Sequence, residues 1–125
     1  MDINERLEIY RLHAEFCKAL SDANRLLIIS ELSRGELSVN ELTRRLGLQQ
    51  SNVSRHLAFL REAGLANTRR EGSSIYYKLS DTRIFEAISL LRAVQSEVLD
   101  KRRKLAGNKA EFYLKRAEEI QNADL

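Results

Sequence analysis

Between positions 38 and 64 a short pattern occurs twice in succession, and it leaves little freedom in what the chain can fold into. Ser38 followed three residues later by Glu41 is a capping-box pattern. It opens a short helical stretch through Val39, Leu42 and Leu46 that stops at Gly47. The polar run Gln49-Gln50-Ser51-Asn52 offers caps for a second stretch, in which Val53, Leu57 and Leu60 recur at helical spacing before Gly64 closes it. Two short helices joined by a tight glycine-containing turn are the signature of a helix-turn-helix. After Gly64 the period changes. Ile75, Tyr77 and Leu79 alternate with Tyr76 and Lys78 as a half-buried strand would, and Leu65 to Arg70 forms its partner across the turn Glu71-Gly72-Ser73-Ser74. The expectation is a helix-turn-helix at about 38–64 followed by a hairpin at about 65–79.

Helices flank this centre. Ile3, Leu7, Tyr10, Ala14 and Cys17 fall four, three, four and three apart, which places them on one stripe. A second helix is expected from Ala23 to about Arg34, capped by Ser21 or Asp22, packed through Leu26, Leu27, Ile29 and Leu32, and stopped by Gly35. Beyond the hairpin, Ser80 or Asp81 caps a long helix whose stripe is Ile84, Ile88, Leu91 and Val98, accompanied by Phe85 and Val94. A break is expected near Gly107-Asn108, then a last amphipathic helix through Tyr113, Leu114, Ala117 and Ile120. The fold class is therefore mainly α with a small β-hairpin. At 125 residues the chain is read as a single domain, 1–125, with terminal helices at about 2–19 and 81–122.

No stretch approaches the roughly 18 consecutive apolar residues of a membrane span. The start, Met1-Asp2-Ile3-Asn4-Glu5-Arg6, leads to no apolar segment with a cleavage site, so a cytoplasmic location and no membrane partner are expected. The single cysteine, Cys17, cannot form an intrachain disulfide, in keeping with a reducing compartment. Charge is more telling than composition. Arg44, Arg45, Arg55, Arg61, Arg69, Arg70 and Lys78 face only Glu62 and Glu71 between positions 44 and 78, a net +5, which leaves the remainder at −2 of the overall +3. A basic centre between mildly acidic flanks suits a surface that releases counterions from a duplex, although a solvated charged face would look the same.

The order helix-turn-helix, hairpin, long terminal helix resembles the winged helix fold, and three stretches carry the likeness further. Phe16-Cys17-Lys18-Ala19-Leu20-Ser21-Asp22-Ala23-Asn24-Arg25-Leu26 resembles the opening of the ArsR/SmtB family of bacterial and archaeal repressors. Ser54-Arg55-His56-Leu57 with Leu60-Arg61-Glu62-Ala63-Gly64-Leu65 resembles that family's recognition helix and its exit. Arg69-Arg70-Glu71-Gly72 with Tyr76-Tyr77-Lys78-Leu79 resembles its wing. Ala23 stands where proline is usual, a departure at a helix start rather than at a contact.

A recognition helix lies in the major groove with its first residues nearest the base edges, which singles out Gln50, Ser51, Asn52, Ser54 and Arg55. Gln and Asn can pair with adenine and Arg with guanine, while the serines serve bases or phosphates. The resemblance adds His56 as a contact and employs Arg69, Arg70, Ser73 and Tyr76 of the wing at the minor groove or adjacent phosphates. His56 could instead be satisfied within the fold, and Tyr76 could pack on its strand. The resemblance also pairs the first and last helices across a two-fold axis, with Ile3, Leu7, Tyr10, Ile84, Ile88, Leu91 and Val98 at the interface. A winged helix-turn-helix with long N- and C-terminal dimerisation helices is the resulting expectation, bound as a homodimer to an inverted repeat in double-stranded DNA and acting as a repressor.

The signal is less legible. The resemblance places metal-binding cysteines at Ser38 and Asn40, and histidine–carboxylate ligands on the long dimer helix. The only histidines are His13 and His56, both upstream of that helix, so no metal site and no cofactor are expected. Cys17 could answer to oxidants through a partner chain's cysteine or by single modification, although on an apolar stripe a free cysteine usually behaves as a small buried hydrophobe. An enzyme is not expected, because Ser54 and His56, two apart on a helix, point in different directions. A winged domain used as a protein-binding adaptor is the rival reading.

Overall fold

The computed structural model describes residues 1–123. In chain order the elements are α1 (Ile3–Lys18), α2 (Ala23–Leu32), β1 (Leu37–Ser38), α3 (Val39–Leu46), α4 (Gln50–Glu62), β2 (Ala66–Glu71), β3 (Ser74–Leu79) and α5 (Arg83–Ala123). The chain divides into two compact units, Met1–Glu86 and Ala87–Leu125. No helix of the described residues is long and apolar enough to cross a membrane.

In the first unit the core is a cluster of fully buried aliphatic side chains. Ile28 and Ile29 of α2, Leu42 of α3, Val53, Leu57 and Leu60 of α4, and Leu65 ahead of β2 form it. Burying each such side chain stabilises the fold by roughly 1.5–3 kcal/mol, so the cluster fixes how the two helices of the helix-turn-helix sit on α2. The caps agree with the sequence. Asp22 accepts from the backbone N–H groups of Asn24 and Arg25 at 2.9 and 3.1 Å, and the Ser38 hydroxyl accepts from the Glu41 N–H at 3.1 Å. Gly47, at φ 65°, ends α3 in the left-handed region that a side chain would strain.

Three features depart from expectation. Leu37 and Ser38 form a short strand, β1, that pairs antiparallel with β3 through Leu37–Tyr77 and Ser38–Tyr76, giving a three-stranded sheet in the order β1-β3-β2. The hairpin turn is two residues long rather than four. Glu71 pairs with Ser74, and only Gly72 has positive φ, at 60°, as a turn with glycine in first place requires. Finally, α5 runs unbroken through Gly107, which is helical; one glycine costs a helix about 1 kcal/mol relative to alanine and does not end it. In the unit Ala87–Leu125 this helix carries exposed Leu90, Leu91, Val94 and Val98.

Candidate nucleic-acid interface

The helical period of α4 decides which side chains face outward. Val53, His56, Leu57 and Leu60 recur at three, one and three and are buried, which turns Gln50, Ser51, Ser54 and Arg55 to solvent. Asn52 is half-buried at the edge, and its carboxamide oxygen accepts from Arg55 Nη2 at 3.2 Å. The exposed face thus carries amide, hydroxyl and guanidinium groups. Among the described residues, Arg55 hydrogen-bonds only to this neighbour on its own helix. Gln49 sits at the N-cap with no side-chain bond to the helix, so among the described residues α4 begins without a side-chain cap. A cleft lined by Ser38, Val39, Asn40, Gln50, Ser73, Ser74 and Ile75 brings the start of α4 and the tip of the hairpin to one side of the unit.

His56 differs from the expectation. Its place in the repeat Val53, His56, Leu57, Leu60 turns it inward, where it is buried with Nε2 3.9 Å from Asp22 Oδ1. At that distance the pair is ionic only when the ring is protonated. Asp22 is the N-cap of α2, and the Arg25 backbone N–H holds its carboxyl below the ordinary range, with His56 acting in the same direction. The side chain expected on DNA therefore faces the seat of its own helix.

In the hairpin, neighbours in sequence point to opposite faces. Register puts Ser38, Tyr76 and Arg69 on one face and Leu37, Tyr77 and Thr68 on the other, where Leu37 and Tyr77 are buried. Arg70 is exposed and lies opposite Ile75 near the tip, with Gly72 and Ser73 in the turn. Arg69 is heavily engaged. Its Nη2 and Nε donate to Glu36 at 2.6 and 3.0 Å, its Nη1 donates to Glu71 at 2.7 Å, and its guanidinium carbon stands 4.8 Å from the centre of the Tyr76 ring. These bonds raise the Arg69 pKa further and hold the Glu36 carboxyl below the usual range. Sequence reading missed Glu36 because its partner lies 33 positions away and no local pattern points to it.

Elsewhere, Ile3, Leu7 and Tyr10 of α1 are exposed and no α1 residue is buried, so the described residues leave the apolar stripe of that helix uncovered. Of the residues expected beside them at a dimer interface, Leu91 and Val98 are exposed, Ile84 is half-buried and Ile88 is buried. Cys17 is half-buried with its Sγ 3.5 Å from His13 Nε2, one helical turn earlier. Ser38 acts as a helix cap and Asn40 is exposed.

Known proteins share this fold. A family model described as bacterial regulatory protein, arsR family, matches residues 22–68, from the cap of α2 into β2. The transcriptional activator HlyU of Vibrio cholerae is 49% identical over 74 residues, covering 59% of this chain and 68% of its own. The biofilm growth-associated repressor of Agrobacterium fabrum is 39% identical over 77 residues, 62% of this chain and 66% of its own. The solution structure of the homodimeric winged helix-turn-helix DNA-binding domain Mb0332 from Mycobacterium bovis is similar with a TM-score of 0.69 at 28% identity, over 78% of this chain and 91% of that one. With its helix-turn-helix, wing and long last helix in the same order, the chain belongs to the arsR family of bacterial transcriptional regulators, built on a winged helix-turn-helix DNA-binding domain.

Proposed function

We propose that this protein is a sequence-specific repressor that binds an inverted-repeat operator as a homodimer, with α4 in the major groove and the wing against the adjacent backbone. The observation that carries the reading is the outward face of α4. Gln50, Ser51, Ser54 and Arg55 stand exposed beside the cleft that the hairpin tip shares. Gln50 suits adenine, Arg55 suits guanine, and Ser51 and Ser54 suit bases or phosphates. Asn52 orients Arg55 and reaches the groove only by releasing it. In the wing Arg70 and Ser73 are the backbone contacts, whereas Tyr76 lies under Arg69 and packs on its strand.

Dimerisation follows from the size of the interface. One winged unit touches little DNA, and a second held rigidly beside it binds at high effective concentration. The uncovered stripe of α1, through Ile3, Leu7 and Tyr10, and the exposed Leu91 and Val98 of α5 supply apolar surface for a second copy. In this reading residues 1–125 act as one winged unit with its dimerisation helices, working in the cytoplasm. Repression follows when an operator overlaps a promoter; the name of the relative from Agrobacterium fabrum agrees, and that of HlyU shows that relatives also activate.

Ser38 and Asn40 offer no thiolate at the positions expected for metal, so the signal in this reading is not a metal bound there. One observation favours a thiol signal: Cys17 is only half-buried, so peroxide can reach its Sγ, which lies 3.5 Å from His13 Nε2.

The test is binding to DNA from the protein's own promoter against a scrambled duplex, across a salt series, with and without peroxide. A specific complex is expected near 10⁻⁸ M or tighter at physiological salt, falling steeply as salt rises. Peroxide that weakens the wild type but not Cys17→Ser supports the thiol signal, and equal effects on both remove it. Equal, weak binding to both duplexes would overturn the operator reading in favour of a protein-binding adaptor.

A further inference from the structure

We infer that Arg69 does not contact DNA but is the latch that aims the wing, and that Glu36, in the turn between α2 and β1, is its anchor. The inference rests on the DNA-binding reading above and changes the role of one residue that the wing motif assigns to the nucleic acid. A guanidinium has five N–H donors in a fixed fork and two flat faces. In Arg69 every nitrogen donates to a carboxylate: Nε and Nη2 to Glu36, and Nη1 to Glu71. One flat face lies over Tyr76. Two of the five N–H groups, one on Nη1 and one on Nη2, remain, but a phosphate that took them would lie beside two carboxylates that repel it and already neutralise the guanidinium. Arg70, its neighbour in sequence, projects from the other face of the hairpin and makes no ion pair or side-chain hydrogen bond among the described residues.

The position of Glu36 gives the engagement its meaning. A two-stranded hairpin is marginal by itself, and here the third strand is only Leu37–Ser38. Arg69 ties the middle of β2 to the turn just ahead of that short strand, so the direction of the hairpin is fixed relative to α2, on which α4 is seated. The ion pairs are half-exposed or more on the arginine side, and surface pairs contribute little to stability one at a time. The latch therefore sets orientation, and its loss leaves the melting temperature almost unchanged.

Glu36→Gln and Arg69→Ala in the full chain provide the test, read first without DNA. Amide hydrogen exchange is expected to quicken across residues 66–79 in both variants while the α4 amides stay protected. Operator affinity should fall several-fold in each, by similar factors, and the double variant should be no worse than either single one. The slope of log affinity against log salt should not change, because no phosphate contact is lost. A slope reduced by about 0.9 in Arg69→Ala would overturn the inference, since that is the signature of one lost phosphate contact. So would tighter binding by Glu36→Gln, which would mean that the carboxylate had been holding a DNA ligand back, or unchanged exchange in the hairpin. If the wild type itself binds no operator selectively, the function reading fails, and the exchange experiment still decides the latch.

Discussion

The recognition helix and the wing are both basic and both face the same cleft, yet their side chains are in opposite states. On α4 the outward groups Gln50, Ser51 and Ser54 are exposed, and among the described residues Arg55 hydrogen-bonds only to Asn52 one turn back. On the hairpin the best-placed cation, Arg69, is held by Glu36, Glu71 and Tyr76. The difference follows from how each element is anchored. A helix with Val53, Leu57 and Leu60 fully buried is positioned by its apolar side, so its polar side can be left free for a ligand. A hairpin whose first strand is exposed from Asn67 to Glu71, with only Ala66 and Tyr77 buried, has less apolar anchorage, so polar side chains help to hold it in place. The arginine count of a binding surface therefore overstates the arginines available to bind.

On the proposed reading Arg55 and Arg70 are the cations that reach DNA, and the comparison is broken most severely at Arg55. Arg55→Ala is expected to cost about 1–3 kcal/mol of operator affinity, the worth of one good bidentate base contact, and to relax selectivity at one position of each half-site. Binding titrations against operators changed one base pair at a time would show it, and unchanged affinity with unchanged selectivity would remove Arg55 from the interface. A smaller effect is expected at the wing tip. Arg70→Ala should weaken binding to all sequences alike and lower the salt slope by about 0.9, as the loss of a single phosphate contact does. A salt series on Arg70→Ala and Arg69→Ala side by side sharpens the contrast, because only the first should move the slope.

The helix side of this comparison was legible in the sequence and much of the wing side was not. Capping residues, glycine stops and the change from helical to alternating period are local signals, and they located α2, α3, α4 and the hairpin to within a few residues. The inward turn of His56 was also written locally. Val53, His56, Leu57 and Leu60 make an unbroken helical stripe, and that spacing is better evidence than the chemical suitability of imidazole for a phosphate. The short strand β1 escaped because two residues show no period. The continuity of α5 escaped because glycine lowers helix stability without ending a helix that is otherwise well formed. Glu36 left no trace at all: pairing across 33 positions is decided by tertiary packing, and nothing in the sequence around either partner announces it.

The smallest expected effect compares the two carboxylates that hold these elements in place. Asp22 and Glu36 both have lowered pKa values, so each contributes stability that is complete above its ordinary value, near 3.8 and 4.5, and that is lost as pH falls through the lower folded value. Their causes differ. Asp22 is lowered first by the Arg25 backbone N–H, a bond that an asparagine oxygen in the same place also accepts, and only secondarily by the charge of His56. Glu36 is lowered first by the Arg69 side chain, whose charge-assisted bonds a glutamine cannot reproduce in strength. Asp22→Asn should therefore melt slightly below the wild type at pH 6 and converge with it as the pH falls through the lowered Asp22 value, below 3.8, where the wild-type carboxyl becomes neutral as well. Melting curves at pH steps from about 6 down to about 2 would show this. A gap that stays constant over that range would mean that Asp22 acts through its shape as a helix cap and that its charge, with the His56 ring 3.9 Å away, plays no part in seating the recognition helix.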